Sequence, residues 1–191
     1  MSLEIVENSR TYKSGGRVVP SVTTILSALK LTWWPDDPAA LARGTAVHQA
    51  CRFLDENDLD QKSLDPMVLP YVDAWAKCKR ELKVKIMAIE QPVVDWTLGY
   101  GGTPDRKLKI NGELFVADLK TGEIADSVAL QTVAYGALVA NGKPVGRIGI
   151  QLKPDGSYST RQFPASEWYR DYRAFLGAMS LYQWMKWRNG K

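Results

Sequence analysis

Apolar residues recur at every second position in two short runs near the middle of the chain, at 107–110 and 113–119, and Asn111-Gly112 lies between them. Such alternation is typical of β-strands, and an Asn-Gly pair favours the two-residue turn of a hairpin. The pattern therefore predicts an antiparallel hairpin at the centre of the chain.

Apolar spacings of three and four residues predict helices on both sides of this hairpin. The predicted helices are a short one entered at Pro20-Ser21, then 38–55, 64–83, one that follows Gly122 and is ended by Gly142, and 165–187. Trp33-Trp34-Pro35 is predicted to break the first helix, and residues 31–37 to form a surface loop or a lip over a site.

Extended segments complete the pattern. Residues 3–19 are predicted to be extended, 84–98 to be a strand with Glu90 in its middle, 99–102 to be a flexible turn, and 145–152 and 158–163 to be strands. Pro92 favours a bulge or an edge position near Glu90. The order of elements predicts an α/β protein, a mixed β-sheet flanked by helices.

No repeat or linker interrupts this pattern. We therefore expect one domain over residues 1–191, with N-terminal helical elements at about 20–83 and a C-terminal helix at about 165–188.

Composition narrows the class of protein only slightly. With 191 residues, 45% hydrophobic and 24% charged, the chain is typical of an ordinary soluble globular protein. Its net charge of +4 permits a nucleic-acid partner but does not demand one. We expect most of the seven tryptophans, and the aromatic residues of the last helix, to be core residues and not base-stacking platforms.

The two cysteines, Cys51 and Cys78, form no Cys-x-x-Cys pair, which excludes a zinc ribbon and a four-cysteine iron–sulfur cluster. Free thiols in a reducing cytoplasm are the expected state. The sequence shows neither a signal peptide at its start nor an apolar run long enough to span a membrane. We therefore expect a cytoplasmic protein without a membrane partner.

Candidate chemistry lies on the predicted hairpin. Asp118 and Lys120 are two residues apart on one strand, so their side chains share a face, and Asp105 precedes the other strand. Two carboxylates and an ammonium suit a divalent metal acting on a phosphate. Taken singly, Asp105 is more simply a turn residue, and Asp118 with Lys120 an exposed ion pair.

Two predicted helices add further candidates. Gly44 and His48, the only histidine, are four residues apart on one helix face, as are Gln131 and Tyr135 on another. Glycine within a helix costs up to about 1 kcal/mol relative to alanine, so we expect a close approach at Gly44. By default, His48 is a hydrogen-bonded helix histidine.

The end of the predicted 64–83 helix is basic, with Lys79, Arg80 and Lys83. A solvated helix face is the default interpretation of such a cluster. Contact with a DNA backbone is the alternative.

In chain order the candidates are Gly44, His48, Glu90, Pro104-Asp105, Asp118-Leu119-Lys120, Gln131 and Tyr135. This ordered set resembles the PD-(D/E)XK nuclease superfamily, and its histidine, Lys-Thr-Gly and Gln-x-x-x-Tyr resemble the RecB-like branch. That branch includes phage-type exonucleases and the mitochondrial genome maintenance exonuclease. The resemblance covers roughly residues 20–152, including Pro20-Ser21-Val22-Thr23-Thr24, and implies a restriction-endonuclease-like core of order αβββαβ.

The resemblance also implies a role for each residue. Asp105, Asp118 and the backbone carbonyl of Leu119 would bind Mg²⁺ or Mn²⁺, joined by His48. Glu90 would bind a second metal or its water shell. Lys120 would orient or deprotonate the attacking water, and Gln131 and Tyr135 would position the substrate backbone or brace Lys120.

The expected function is that of a metal-dependent DNA exonuclease of phage or prophage recombination or DNA repair. The alternatives are a structure-selective or nicking endonuclease, which would share every site residue, and a non-catalytic nucleic-acid-binding module. Expected partners are single- or double-stranded DNA, entered at its ends, a recombination annealing protein, and further copies of the chain in a ring-forming homo-oligomer. The polarity of digestion does not follow from the sequence.

Overall fold

The computed structural model describes residues 3–6, 11–32 and 37–190. Within these ranges the strands are β1 Glu4–Val6, β2 Thr11–Ser14, β3 Arg17–Pro20, β4 Lys85–Ile89, β5 Val93–Asp95, β6 Tyr100–Gly102, β7 Arg106–Ile110, β8 Glu113–Lys120, β9 Gly146–Leu152 and β10 Tyr158–Phe163. The α-helices are α1 Val22–Ala28, α2 Pro38–Glu56, α3 Leu69–Glu81, α4 Ser127–Val139 and α5 Trp168–Asn189. One-turn 3-10 helices occupy Gln61–Ser63 and Ala165–Glu167.

The central sheet has five strands in the order β10-β9-β8-β7-β4. The β8–β9 pair is parallel and the other pairs are antiparallel, so the sheet is mixed, and helices cover both of its faces. From α3 to β9 the elements follow the order αβββαβ once the short β5–β6 hairpin is set aside. The structure confirms the predicted α/β class and its restriction-endonuclease-like core.

The predicted central hairpin is confirmed as β7 and β8, each one residue longer than expected. Asn111 and Gly112 both have left-handed φ angles, 50° and 86°, as the two central residues of a type I′ turn require. Ile110 pairs with Glu113 directly beside the turn, which sets the register of every pair further along. The Asn-Gly pair therefore determines which residues of β7 and β8 are neighbours.

Two hydrophobic clusters hold the helices against the sheet. On one face, α2 and α3 pack on alternate residues of β7, β8 and β9, among them Leu108, Leu119 and Ile150. On the other face, α1, α4 and α5 pack around Val116 of β8 and Tyr100 of β6. Residues 116, 118 and 120 therefore point to the face covered by α4, because side chains alternate along a strand.

The segment after α3 differs from the prediction. The expected strand at 84–98 is interrupted at Glu90, whose left-handed φ of 44° ends β4, and β5 begins only at Val93. The predicted edge position is confirmed, since β4 is an edge strand, but the register shift lies between Ile86 and Ala88 and not at Glu90.

The expected flexible turn at 99–102 is wrong, because Tyr100–Gly102 is strand β6. Its glycines serve close packing and not flexibility. A Cβ on Gly101 would lie 2.5 Å from the Tyr12 ring, and a Cβ on Gly102 would lie 2.6 Å from the Tyr135 ring.

The predictions for the 64–83 helix, the loop near Trp33 and the extended segment 3–19 have different outcomes. The helix predicted at 64–83 begins only at Leu69, with Pro70 in its first turn, as the fixed φ of proline favours. The predicted loop at Trp33-Trp34-Pro35 lies outside the described residues. Residues 3–19 do form extended structure where they are described, as the antiparallel sheet β1-β2-β3.

The expectation that most tryptophans are core residues is wrong for the described part of the chain. Trp75 and Trp168 are fully buried, but Trp184 and Trp187 of α5 are each 55% exposed and Trp96 is half-buried. The buried residues of α5 that pack against α1 and α4, among them Phe175 and Met179, lie on one side of the helix, and Trp184 and Trp187 are not among them.

The thiols of Cys51 and Cys78 are buried and free, as predicted, and burial raises the pKa of each to about 12. Among the helices of the described ranges, none is both long and apolar enough to cross a membrane.

Two helical glycines provide a test of the packing. Alanine in place of glycine favours a helix by up to about 1 kcal/mol, but a Cβ on Gly136 of α4 would lie 2.6 Å from the Trp168 ring. We expect Gly136→Ala to destabilise the protein by about 1–3 kcal/mol through overpacking. Gly177→Ala on α5 is the matched control, since no described atom lies within 4 Å of its Cβ position, and it should be neutral or stabilising. Urea unfolding of both variants measures the difference, and equal stabilisation by both would contradict this packing.

Candidate active site

The candidate site lies where β7 begins and β8 ends. Arg106 pairs with Ala117 in the antiparallel register, so the next position outward sets Asp105 beside Asp118. The Leu119 backbone N–H donates a hydrogen bond of 2.7 Å to Asp105 Oδ2. Two carboxylates that are distant in sequence are therefore brought side by side on adjacent strands.

Asp118 is 2% exposed and is contacted from two elements. Lys120 Nζ lies 2.7 Å from its Oδ2, and Gln131 Nε2 on α4 donates a 2.7 Å hydrogen bond to its Oδ1. Gln131 Nε2 also donates to the Tyr135 hydroxyl at 3.3 Å. Gln131, supported by Tyr135, therefore holds the Asp118 carboxylate. One of the two roles expected for these residues was to brace Lys120, and their hydrogen bonds in the described residues go to Asp118 instead.

The ammonium of Lys120 compensates the buried charge of Asp118. Its Nζ lies 2.7 Å from Oδ2, close enough for a charge-assisted hydrogen bond, and Gln131 donates to the other oxygen. A buried carboxylate requires such partners, and its oxygens are also ligands that a hard cation prefers.

His48 reaches the site from α2. Its Nδ1 lies 3.5 Å from Asp105 Oδ1, and the two side chains remain 31% and 18% exposed, so the site opens to solvent on this side. One turn earlier, a Cβ on Gly44 would lie 3.6 Å from Thr121 Oγ1, an ordinary van der Waals distance, so the described residues do not show the close approach expected at this helical glycine.

Glu90 joins the site through the backbone. Its N–H donates a 3.1 Å hydrogen bond to the Asp105 carbonyl. Its carboxylate oxygens lie near two arginines, with Oε2 3.6 Å from Arg52 Nη1 and Oε1 3.8 Å from Arg106 Nη1. Its left-handed backbone costs a residue with a side chain roughly 1–2 kcal/mol. The break in β4 therefore turns Glu90 toward Asp105.

Sequence reasoning missed two charged residues behind the site, Asp55 and Arg106. Both side chains are fully buried, and Arg106 Nε donates a 2.6 Å hydrogen bond to Asp55 Oδ2. A signal was available: Arg106 lies two residues before Leu108 on the apolar face of β7, and an arginine there requires a buried acid.

The charges of the site shift one another's pKa values. Burial alone would raise the pKa of Asp105, but the His48 imidazole, the Lys120 ammonium and the Leu119 N–H outweigh it and lower that pKa to about 2. Burial raises the pKa of Asp118, with a further contribution from Asp105, against the opposing effect of Lys120. The two carboxylates thus differ in proton affinity, Asp105 being the more acidic.

The pKa values of His48, Lys120 and Tyr135 are all raised, and neighbouring carboxylates contribute to each shift. Burial alone would lower the pKa of His48, but the Asp105 carboxylate raises it above its ordinary value. Burial would likewise lower the pKa of Lys120, but Asp118 and then Asp105 raise it. Burial next to Asp118 raises the pKa of Tyr135 well above its usual range, so the phenol stays neutral.

The donor set fits a hard cation in its chemistry. Carboxylates, a backbone carbonyl and an imidazole are ligands that Mg²⁺ and Mn²⁺ accept. Within the described ranges, however, no three His, Cys, Asp or Glu side chains converge as a metal centre requires. Asp118 is directed to Lys120 and Gln131, and Asp105 to His48 and Leu119, so these side chains would have to reorient to bind a metal.

The basic residues predicted for a DNA contact are not equivalent. Lys79 is held by Asp55, with Nζ 2.5 Å from Oδ1, and only 23% of its side chain is exposed. Arg80 and Lys83 are exposed at the end of α3. Of the three, these two are the more exposed, which agrees both with a solvated helix face and with a DNA contact.

Comparisons with known proteins give weak similarities. No protein-family model matches the sequence, and a search of curated proteins found no match. Among solved structures, the alkaline exonuclease LHK-Exo from Laribacter hongkongensis is 14% identical, with 87% of this chain and 81% of that chain covered and a TM-score of 0.38. LHK-Exo in complex with dAMP is 15% identical, covers 87% and 82%, and has a TM-score of 0.36. Likeness this low carries no argument about function, which has to come from the site.

The His48–Asp105 pair predicts a pH-dependent stability. Because the folded pKa of His48 is raised, its contribution is complete below the unfolded value of about 6.5 and is lost as pH rises through the folded pKa. In EDTA, we expect His48→Gln to lower the melting temperature more at about pH 5.5 than at about pH 8.5. Gln49→Ala, at the exposed neighbouring position of α2, is the control and should show no such trend. An equal loss for His48→Gln at both pH values would contradict the pairing.

Proposed function

We propose that this chain is a metal-dependent DNA exonuclease of the RecB-like branch of the PD-(D/E)XK nucleases, acting in phage or prophage recombination or in DNA repair. The observation that carries the proposal is the placement of Asp105 and Asp118 side by side, with Lys120 and Gln131 both in contact with Asp118. The sequence resemblance implies one site for these residues, and the register of β7 and β8 together with the contacts of Asp118 supports it.

Hydrolysis of a phosphodiester requires an activated water, a counter-charge for the phosphoryl oxygens and a stabilised leaving oxygen. Lys120 supplies a positive charge that is 29% exposed and therefore accessible to a phosphate. Without metal, the Asp118 and Asp105 carboxylates raise its pKa, so the ammonium is the form that stabilises negative charge there. The role proposed for Lys120 is to orient the attacking water and to stabilise the charge that develops on phosphorus-bound oxygens.

The metal proposed is Mg²⁺ or Mn²⁺, held by the carboxylates of Asp105 and Asp118, the Leu119 carbonyl and His48, with Glu90 beside them. A divalent cation there would supply Lewis-acid charge and a water of lowered pKa. The carboxylate oxygens of Asp105 and Asp118 are ligands of the kind that such a cation prefers. The imidazole of His48 as a ligand would slightly favour Mn²⁺ over Mg²⁺.

Gln131 and Tyr135 are proposed as positioning residues and not as substrate contacts. Gln131 is 8% exposed and Tyr135 5%, so a DNA backbone has little access to them. Their hydrogen bonds hold the Asp118 carboxylate in one orientation, which a ligand or a positioned acceptor requires.

DNA is the proposed substrate and partner. The net charge of +4 favours a polyanion, and Arg80 and Lys83 are exposed cations. Association with an annealing protein and with further copies in a ring are further parts of the proposal, and light scattering of the purified protein tests the second of them.

Removing the charge of Asp118 or of Lys120 should slow cleavage strongly. With Mg²⁺ or Mn²⁺, we expect Asp118→Asn and Lys120→Ala each to lower kcat on linear DNA by on the order of 10²–10³-fold. Lys109→Ala is the control, since it removes a lysine from the same hairpin away from the site. Turnover like that of the wild type in either site variant would reject the assignment, and no cleavage by the wild type with any DNA would favour a binding module.

Substrate topology separates an exonuclease from an endonuclease. An exonuclease needs a free end, so we expect linear single- or double-stranded DNA to be degraded and covalently closed circular DNA to stay intact. Gel analysis of both forms with each metal measures this, and linearisation or nicking of the circle would favour the endonuclease alternative. End-labelled linear DNA in the same assay reports the polarity.

A further inference from the structure

A buried carboxylate that plays no part in the proposed chemistry lies behind the site. The Asp55 side chain on α2 is fully buried and accepts hydrogen bonds from Trp75 Nε1 at 3.0 Å, Lys79 Nζ at 2.5 Å and Arg106 Nε at 2.6 Å. An ionised carboxylate is tolerated inside a protein only when it is paired and hydrogen-bonded in this way.

Arg106 connects this carboxylate to the site. Its Nη1 donates a 2.7 Å hydrogen bond to the backbone carbonyl of Asp105 and lies 3.8 Å from Glu90 Oε1. The same carbonyl accepts the Glu90 N–H, so Arg106 and Glu90 meet at one oxygen. The guanidinium is therefore fixed at Asp55 on one side and holds the backbone of Asp105 on the other.

We propose that Asp55 is a positioning residue, which acts through Arg106 to fix where the Asp105 and Glu90 carboxylates lie. This inference rests on the proposed function, because it assigns those two acids to the reaction. The planar guanidinium keeps its N–H groups in a rigid fork, so the direction of the Asp55–Arg106 contact determines that of the Arg106–Asp105 contact. Lysine in its place would offer a charge without that fixed geometry.

A second buried arginine–aspartate pair makes a matched comparison. Arg147 of β9 is fully buried and donates to Asp171 Oδ2 of α5 at 2.8 Å, between the Trp168 and Phe163 rings. None of the site residues named above contacts it in the described part of the chain. The two pairs share their chemistry and burial, but only the pair at Asp55 contacts a site residue.

The test compares Asp55→Asn with Asp171→Asn. Both variants keep the shape of the side chain and remove its charge, so both should lower the melting temperature. Only Asp55→Asn should weaken Mn²⁺ binding, measured by calorimetry on the protein alone, by about 10–100-fold. It should also lower kcat on linear DNA by a similar factor, with KM for DNA unchanged.

A third measurement needs neither metal nor cleavage. His48 is the only histidine, so its ring resonances can be assigned without ambiguity in an NMR spectrum. Because His48 Nδ1 lies 3.5 Å from Asp105, movement of Asp105 should shift these resonances in EDTA. We expect a shift in Asp55→Asn and none in Asp171→Asn.

The outcomes are distinct. If Asp55→Asn matches Asp171→Asn in kcat, Mn²⁺ affinity and His48 resonances, Asp55 serves stability alone and the inference is overturned. If the wild type cleaves no DNA, the proposed function fails, and the His48 resonances still decide the inference. Should Asp55→Asn not fold, Arg106→Lys replaces it, since it keeps the charge beside Asp55 and loses the fork that also reaches Asp105.

Discussion

Two carboxylates held side by side in a poorly hydrated place are the constraint on which the rest of this structure depends. The negative charges of Asp105 and Asp118 repel each other. Burial increases this repulsion, because the protein interior screens charges less than water does. Asp105 is compensated by His48 and the Leu119 N–H, and Asp118 by Lys120 and Gln131. These partners come from α2, β8 and α4, so the site exists only when helices from both faces of the sheet are in place.

A glycine that carries no functional group, Gly102, contributes to that arrangement. Gly102 has no side chain, which lets the Tyr135 ring pack directly against β6. Tyr135 then accepts the second hydrogen bond of Gln131, and this leaves the amide oriented toward Asp118. The packing of a short hairpin against α4 thus fixes the direction of a hydrogen bond at the site, which links close backbone approach to the electrostatics of a carboxylate.

The features that depend on neighbouring residues in the sequence could be predicted from the sequence. Asn111-Gly112 set the hairpin and its register, and the two-residue period placed Asp118 and Lys120 on one face. Pro92 predicted a bulge or an edge position near Glu90 but not the break in the strand, since a left-handed glutamate is stabilised by contacts with Asp105 and Arg106 that are distant in sequence. The partner of Gln131 depended in the same way on how α4 packs. The exposure of Trp184 was missed because an aromatic helix pattern does not show which of its faces finds a partner.

The charge balance of the site limits what Lys120 can do. Burial alone would favour a neutral amine, which could accept a proton from water. Asp118 and Asp105 outweigh burial and raise its pKa, so the ammonium is the stable form in the field of these side chains. A protonated lysine donates hydrogen bonds and neutralises negative charge, but it cannot take up a proton. The divalent cation proposed at Asp105 and Asp118 would neutralise both carboxylates and add a positive charge beside Lys120, which would lower its pKa. The base role considered for Lys120 therefore depends on bound metal, whereas charge stabilisation does not.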